Sequence, residues 1–402
     1  MSSVHIYSDN SYLRWFRRRV SSQQTVPETL DIVQNGVIVN QGRAGYGVYD
    51  ASGKLVDLSR QIRGRDNQIV HKSMKFSDGV PYVDTDVMFL GNVYMHFGHF
   101  MLEHMNRAWG ILRPECKGRK VVLINDAHHD RVPEYMYRLV ELMGIKRSDI
   151  IILNETTRFR SVAVPSQSFE IDQWASNVFV SAFENIAKNV RVRVPKYEKI
   201  YMSRDALGDR RTYGEPAVQR IFEKNGFQIV RPETLPLDKQ IALMKNCKVL
   251  AGCAGTALHM ALFMPRGGTV IQIKRNRVNK DSGGTQNLIN RLKEMQSVFI
   301  SGSVEVEKTN HGDVAPQIIG ITKHMRKFFN ENGFSYSGSD LNPDRDEFEK
   351  YVAARRAYRA QYGNVRFNKF KHKLIKISAC TIPGRERRGR YRAYMRRLLR
   401  VA

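Results

Sequence analysis

Imidazoles and a carboxylate crowd one apolar stretch of the sequence, residues 91–109, GNVYMHFGHFMLEHMNRAW. From His96 onward the large apolar residues recur at steps of three and four, which predicts a helix. On that helix His96, His99 and Glu103 lie near one another, because residues three or four apart are neighbours. A carboxylate beside imidazoles, flanked by large apolar groups, obtains the raised pKa that suits a general base. These three residues are therefore the candidate catalytic groups.

Two other interpretations of the same residues stay open. In the first, the polar groups pair with one another at a domain interface. In the second they bind zinc, although the sequence offers no evident ligand from another segment. The triplet at residues 84–86 matches the letters Asp-x-Asp of a metal-binding motif, but such triplets are frequent by chance. We therefore predict no metal site.

A second candidate site lies in residues 248–265, KVLAGCAGTALHMALFMP, where a short strand passes through small residues into a helix. The free N–H groups and the dipole at the start of such a helix suit a phosphate. Gly252, Ala254 and Gly255 let the backbone approach a ligand closely, and Thr256 can cap the helix or donate its hydroxyl. Glycines at such a turn also often serve only packing, so both readings stay open.

A basic loop in residues 201–215, YMSRDALGDRRTYGE, favours the phosphate reading. Its predicted strand ends at Ser203 and Arg204, and the loop after it carries Arg210 and Arg211. Open α/β folds bind ligands at the carboxyl edge of the sheet, where guanidinium groups are well suited to grip a diphosphate. A solvated basic loop is the alternative.

Strands and helices alternate along the sequence and would position both candidate sites. Short apolar runs predict strands at 120–125, 149–153, 161–164, 199–203, 227–231, 248–251 and 269–273. Amphipathic patterns predict helices at 133–143, 174–190, 216–225, 237–246 and 256–263. This alternation predicts an α/β fold, and basic residues with a proline at 191–196 mark a domain boundary.

Composition narrows the class of protein. The chain of 402 residues is long enough for two domains, and 42% hydrophobic with 26% charged residues is typical of soluble globular proteins. No apolar run approaches the ~20 residues that span a bilayer, and the N-terminus lacks the apolar core of a secretory signal. The four cysteines are far apart, which favours reduced thiols in a cytosol over a disulfide framework.

Positive charge is concentrated at the end of the chain. The net charge is +26, and residues 351–402 hold 16 Lys and Arg against one Glu. In 366–376 and 390–402 apolar residues recur among the cations, a pattern typical of helices lying on an anionic membrane. Binding of nucleic acid through this segment and a solvated helix packed on the first domain are the alternatives.

The segments together resemble the family 61 glycosyltransferases, especially the bacterial capsule and cell-surface polysaccharide members, over residues 90–272. That family shows a His followed four residues later by an acid, which His99 and Glu103 match. Its other motifs are matched by Ser203, Arg204, Arg211, Glu215, Gly252, Gly255, Leu258, His259, Phe263 and Pro265. Many members carry a His-Gly pair in the turn, where this chain has Ala254 and Gly255, and His259 is the residue that could substitute for it.

The resemblance implies a GT-B type fold with two Rossmann-like domains facing a cleft. Residues 1–194 would form the acceptor-side domain, 195–330 the nucleotide-sugar-binding domain and 331–402 a basic amphipathic helical tail. The family is usually inverting and has no obligatory metal or cofactor, the nucleotide sugar, such as a UDP-sugar, being a co-substrate. Arginines and a helix N-terminus would stabilise the leaving diphosphate, with Glu103 or His99 as the base and His96 beside them.

We therefore expect an inverting glycosyltransferase that extends a lipid-linked cell-surface or capsular polysaccharide. The donor-binding set comprises Ser203, Arg204, Arg210, Arg211, Glu215, Gly252, Ala254, Gly255, Thr256 and His259. The tail would hold the enzyme as a peripheral protein on the inner, cytoplasmic face of an anionic membrane, and no nucleic acid is expected as a partner. A nucleic-acid-binding protein acting through its tail and a polysaccharide pyruvyl transferase are the alternative functions.

Overall fold

The computed structural model of the chain describes residues 3–21, 27–41, 45–62, 71–127, 129–205, 212–276, 283–304, 315–342, 344–362, 373–375, 377–379 and 385–398. Parallel and antiparallel strands alternate with helices, so the predicted α/β class is confirmed. The chain divides into two compact units, each assembled from separate stretches. Unit 1 comprises Met1–Met202, Thr234–Gln272 and Ser282–Phe299; unit 2 comprises Ser203–Glu233, Ile273–Asp281 and Ile300–Ala402.

The strands are numbered in chain order. They are β1 Val4–Tyr7, β2 Leu30–Gln34, β3 Val37–Asn40, β4 Tyr46–Tyr49, β5 Tyr82–Asn92, β6 Lys120–Ile124, β7 Ile150–Leu153, β8 Thr157–Pro165, β9 Phe169–Glu170, β10 Trp174–Ala175, β11 Lys199–Met202, β12 Thr212–Tyr213, β13 Gln228–Val230, β14 Val249–Cys253, β15 Thr269–Lys274, β16 Gln296–Ser301 and β17 Gln317–Ile318.

The helices are of three kinds. The α-helices are Asn10–Ser21, Phe97–His99, Glu134–Glu141, Phe179–Asn189, Glu215–Lys224, Leu237–Met244, Gly283–Leu292, Lys323–Glu331, Arg345–Tyr362 and Arg385–Leu398. A π-helical turn spans Phe100–His104. The 3-10 helices are Asp57–Ser59, Met105–Leu112, Pro114–Cys116, Arg147–Asp149, Pro232–Thr234, Thr256–Phe263 and Gly338–Leu341.

One predicted helix begins later than expected. The prediction for residues 174–190 is wrong at its start, because Trp174–Ala175 is strand β10 and pairs antiparallel with β9. A turn through Asp172, whose φ is +62°, brings Trp174 opposite Glu170, and the indole N–H donates to the Glu170 carboxylate at 2.6 Å. This local hairpin outweighs the helical pattern, and the helix starts at Phe179.

The first sheet of unit 1 orders its strands β4-β3-β8-β5-β6-β7, with β2 also paired to β8. Strands β8, β5, β6 and β7 run parallel, and β2 and β3 join them antiparallel. Val87, Phe89, Val122 and Val162 are fully buried at its centre. Strands β6 and β7 are almost continuously apolar, as strands covered on both faces are.

In the second sheet β1, β16, β15, β14 and β11 are neighbours in that order. Strands β11 and β14 run parallel, with Met202 opposite Gly252. A Cβ at Gly252 would lie 2.8 Å from the Met202 carbonyl oxygen, so only glycine permits this approach of the two strands. Gly252 thus has a packing role, whatever it contributes to a ligand site.

Unit 2 has an aromatic core between its helices. Phe222 packs edge-on to Phe227, Phe329 and Phe334, with ring centroids 4.9–5.9 Å apart. Phe328 and Phe329 come from the Lys323–Glu331 helix and are buried, so that helix is fixed to Glu215–Lys224 by aromatic contacts.

The Arg345–Tyr362 helix opens the predicted tail, and its first half belongs to the fold of unit 2. Tyr351 is buried, with its ring 6.0 Å from that of Tyr213, and the Glu347 carboxylate accepts a hydrogen bond from the Gly214 N–H. Farther on, Arg385–Leu398 is helical across part of the predicted segment 390–402. Of the predicted segment 366–376, only residues 373–375 lie within the described residues. None of the described helices combines the length and the apolar composition that crossing a bilayer requires.

Candidate active site

The histidine segment, defined here as residues 96–112, changes its helical pitch along its length. It runs from an α-helical turn through the π turn of Phe100–His104 into the 3-10 helix Met105–Leu112. The predicted helix is therefore present, but it is irregular where its acid lies, and π turns are frequent at functional sites. At its start the His96 side chain caps the helix, because its Nδ1 accepts a hydrogen bond from the His99 N–H at 3.4 Å.

His99 and Glu103 form a hydrogen-bonded pair. The Nδ1–H of His99 donates to Oε2 of Glu103, as their one-turn spacing predicts. Glu103 is only 4% exposed, whereas the His99 side chain keeps 28% of its surface accessible. A carboxylate on Nδ1 fixes the ring orientation and leaves Nε2 as the nitrogen that can accept a proton.

The small-residue turn of the second candidate site lies against the histidine segment, within unit 1. The Phe97–His99 turn packs on the helix Thr256–Phe263, and a Cβ at Gly98 would lie 2.5 Å from Oγ1 of Thr256. Gly98 is thus required for this approach. Gly255, with a φ of +153°, occupies the capping position without a side-chain bond, so Thr256 starts the helix and does not cap it.

The contact brings a third imidazole, His259, close to the first two. His259 is 5% exposed, and its burial, more than the charges of His99 and His96, lowers its pKa to about 4. Its Nδ1 lies 2.9 Å from Oε1 of Gln286. The sequence motifs of residues 96–103 and 252–259 therefore share one location, and His259 is a neutral imidazole at neutral pH.

The arginine segment, defined as residues 203–215, lies in unit 2. The Ser203 hydroxyl oxygen accepts hydrogen bonds from the Asp205 N–H and the Gln219 amide, at 3.1 and 2.9 Å. The Arg204 N–H donates to the buried Glu215 carboxylate at 3.0 Å. Ser203, Arg204 and Glu215 are thus brought together as the sequence predicts.

Arg204 is a buried cation in this segment. It is 8% exposed, and its Nε is buried without a hydrogen-bond partner among the residues that the structure describes. A buried guanidinium N–H that lacks an acceptor has a free-energy cost that an anionic ligand would remove. The predicted Arg210 and Arg211 lie outside the described residues.

Comparison with known proteins agrees with this geometry. Residues 97–271 match the family model described as Glycosyltransferase 61, from the start of the histidine segment to just beyond the turn helix. This stretch of the chain is therefore similar to the family 61 glycosyltransferases. The predicted enzyme class is thereby confirmed, and the family implies a nucleotide-sugar donor and a glycan acceptor. No curated protein matches the chain.

The acidic triplet of this glycosyltransferase is already paired with a cation of the protein. Arg160 donates from Nε and Nη2 to both oxygens of Asp86, at 3.0 and 2.7 Å, and from Nη1 to Asp84 at 3.3 Å. These bonds, with one from the Ser161 hydroxyl, lower the pKa of Asp86 to about 2. Within the described residues, no group of three or more His, Cys, Asp or Glu is arranged to hold a metal ion.

Sequence reasoning missed the residue that anchors the histidine segment. Arg107 is fully buried and donates to the carbonyls of Leu58, Arg60 and Pro165 and to Oε1 of Gln61, at 2.8–3.2 Å. Burial lowers its pKa to about 10. A charged residue one turn after Glu103, among apolar residues, is the signal that could have revealed it.

The partner of His259 was also missed. Gln286 lies on the helix Gly283–Leu292, whose polar residues Thr285, Gln286, Asn287 and Asn290 are all buried. Polar residues of an amphipathic helix are normally predicted to face solvent. The sequence therefore gives no sign that Gln286 is buried beside His259. Only the fold brings residues 259 and 286 together.

Proposed function

We propose that this glycosyltransferase moves a sugar, with inversion, from a nucleotide-sugar donor to a hydroxyl of a lipid-linked cell-surface or capsular polysaccharide. The observation that carries the proposal is the pair of His99 and Glu103. The acceptor oxygen forms its bond to the anomeric carbon while the bond from that carbon to the diphosphate oxygen breaks. The hydroxyl proton goes to the enzyme, and the nucleoside diphosphate leaves with the electron pair.

Between the two residues of the pair, we assign the proton to Nε2 of His99. Glu103 is nearly inaccessible and already accepts the Nδ1–H, so it orients the ring and stabilises the imidazolium that forms. His99 is the more accessible of the two and offers the nitrogen that the pairing leaves available. His96 lies beside it, with ring centroids 4.9 Å apart, and would border the acceptor.

The donor diphosphate would be bound by cations of the protein, without a required metal or cofactor. The unsatisfied Nε of Arg204 supports this role, and Arg211 follows it in the same motif. Ser203, Arg210, Glu215 and the turn residues Gly252, Ala254, Gly255 and Thr256 remain in the predicted donor-binding set. The GT-B arrangement that the family implies, with domains at 1–194 and 195–330 and a tail at 331–402, is part of the same proposal.

The tail supports a proposal for the location of the enzyme. Leu374, Ile377 and Tyr394 are 46%, 58% and 63% exposed in a segment rich in Lys and Arg. Exposed apolar side chains among cations suit the headgroup boundary of an anionic membrane. We place the enzyme at the cytoplasmic face, where a lipid-linked acceptor would be found.

A stereochemical assay tests the proposal. The protein is incubated with a panel of nucleotide sugars and a glycan acceptor, and the anomeric configuration of any product is read by NMR. We expect transfer from one donor class with inverted configuration, and loss of that transfer in His99→Gln. A product of retained configuration, or undiminished turnover by His99→Gln, would contradict this mechanism.

A further inference from the structure

A buried chain of amides ends at His259. The His259 Nδ1 faces Oε1 of Gln286 at 2.9 Å, Nε2 of Gln286 donates to Oδ1 of Asn290 at 2.9 Å, and Nδ2 of Asn290 donates to the Ser297 hydroxyl at 2.8 Å. Gln286, Asn290 and Ser297 are all fully buried. Turning one of the two amides round alone would oppose like groups, so both amides keep the matched orientations that the structure shows.

The direction of this chain defines the protonation of the ring. Because Nε2 of Gln286 donates to Asn290, the amide oxygen Oε1 faces His259. An amide oxygen can only accept a hydrogen bond. His259 therefore carries its hydrogen on Nδ1. Its Nε2 then holds a lone pair, and this nitrogen takes no hydrogen bond from the residues that the structure describes.

The surroundings of His259 favour this neutral form. The titratable groups that act on it are His99 and His96 of the histidine segment, and a proton on either ring disfavours one on His259. The helix Gly283–Leu292 faces it with the uncharged amide of Gln286. A neutral imidazole with a free lone pair accepts hydrogen bonds but repels another acceptor such as a phosphate oxygen.

We propose that Nε2 of His259 accepts a hydrogen bond from a sugar hydroxyl of a substrate, and that Gln286 is the positioning residue that fixes this tautomer. The inference rests on the proposed function, because it takes the surroundings of His99 as the reaction site. It narrows the role predicted from the sequence: within the donor-binding set, His259 recognises a hydroxyl and not the diphosphate. The hydroxyl can belong to the donor sugar or to the acceptor glycan.

Binding measurements with a matched pair of variants test the ligand. His259→Gln keeps an acceptor oxygen near the position of Nε2, whereas His259→Phe keeps the ring shape without any acceptor. For the nucleoside diphosphate that binds best among UDP, GDP and dTDP, calorimetry should give the same Kd, within about twofold, for both variants and the parent. His259→Phe should raise the Kd of the corresponding nucleotide sugar, or the KM of the acceptor, by about tenfold, the value of one hydrogen bond. His259→Gln should restore most of this lost affinity.

The two arms identify the source of the hydroxyl. A change confined to nucleotide-sugar binding assigns it to the donor sugar, and a change confined to the acceptor KM assigns it to the acceptor. Weakened binding of the plain diphosphate by His259→Phe would overturn the proposal and return His259 to the phosphate site. An unchanged response in both arms would also overturn it.

The tautomer is tested separately by NMR of the protein labelled with ¹⁵N-histidine. We expect the His259 signals of an Nδ1–H imidazole, and a mixture of tautomers in Gln286→Met, which keeps the shape of the side chain but loses its oxygen. An Nε2–H ring in the parent protein would overturn the proposal. These spectra and the diphosphate titrations need no turnover, so a protein that transfers no sugar would fail the proposed function while this readout still stands.

Discussion

The buried arginines of the histidine segment and the arginine segment differ in their hydrogen bonding to the protein. Arg107 of the first is fully buried and donates to several oxygens of the protein, whereas Arg204 of the second has a buried Nε without a partner among the described residues. The first arrangement is complete without a ligand and serves the fold. The second is incomplete and gains from an anion, so the difference separates an arginine that builds the site from one that binds in it.

Replacing each arginine by methionine tests this contrast directly, and Arg107 should show the largest effect. Arg107→Met removes the N–H groups that donate to the carbonyls of Leu58, Arg60 and Pro165. We expect the free energy of unfolding, measured with urea, to fall by about 3 kcal/mol or more. Arg204→Met is the matched control and should change it by less than about 1 kcal/mol. Equal losses in the two variants would contradict the distinction.

The second prediction concerns chemistry in the histidine segment. Glu103→Gln keeps the shape of the side chain but removes the charge that stabilises the His99 imidazolium. Turnover should fall by ~10²-fold or more, with an unchanged melting temperature and an unchanged Kd for the nucleoside diphosphate. Near-normal turnover would remove Glu103 from the mechanism and leave His99 to be tested alone.

The third prediction concerns affinity in the arginine segment. Arg204→Met should weaken binding of the nucleoside diphosphate by about 1.5–3 kcal/mol in calorimetry, the contribution of a charge-assisted contact. Arg211→Met, predicted from the motif, should act in the same direction. Unchanged affinity in both variants would place the diphosphate elsewhere. If only Arg211→Met weakened diphosphate binding, the unpartnered Nε of Arg204 would not be explained by the diphosphate.

Contacts between residues close in the sequence could be predicted from the sequence, whereas contacts between distant segments could not. The pair of His99 and Glu103 was predictable because helical spacing brings them together locally, and strands such as β6 and β14 were predictable because apolar runs are local signals. The approach of Gly98 to Thr256 was not, because it depends on how distant elements pack. The hairpin at Trp174 was missed for a similar reason: a turn residue with positive φ overrode a helical pattern.

A contrast between residues packed in the fold and exposed residues occurs at the end of the chain, where the smallest effect per residue is expected. The Arg345–Tyr362 helix is tied to unit 2 through Tyr351 and Glu347, but Leu374, Ile377 and Tyr394 remain exposed among cations. A truncation that tests the membrane anchor must therefore end after Tyr362. Removing residues 363–402, of which Ile375 and Ala379 are buried, should leave turnover with a soluble acceptor unchanged.

The same truncation should abolish sedimentation with vesicles that contain anionic lipid. Each Lys or Arg near such a surface contributes ~1 kcal/mol, so binding of the full chain should weaken steeply with added salt and vanish on neutral vesicles. In the full chain, exchange of Leu374, Ile377 and Tyr394 for serine should weaken binding to anionic vesicles although the charge is unchanged, because the apolar contribution is lost. A truncated protein that still sediments would refute the anchor. One that unfolds would show instead that residues 363–402 belong to the core of the fold, as the alternative of a solvated helix packed on the first domain requires.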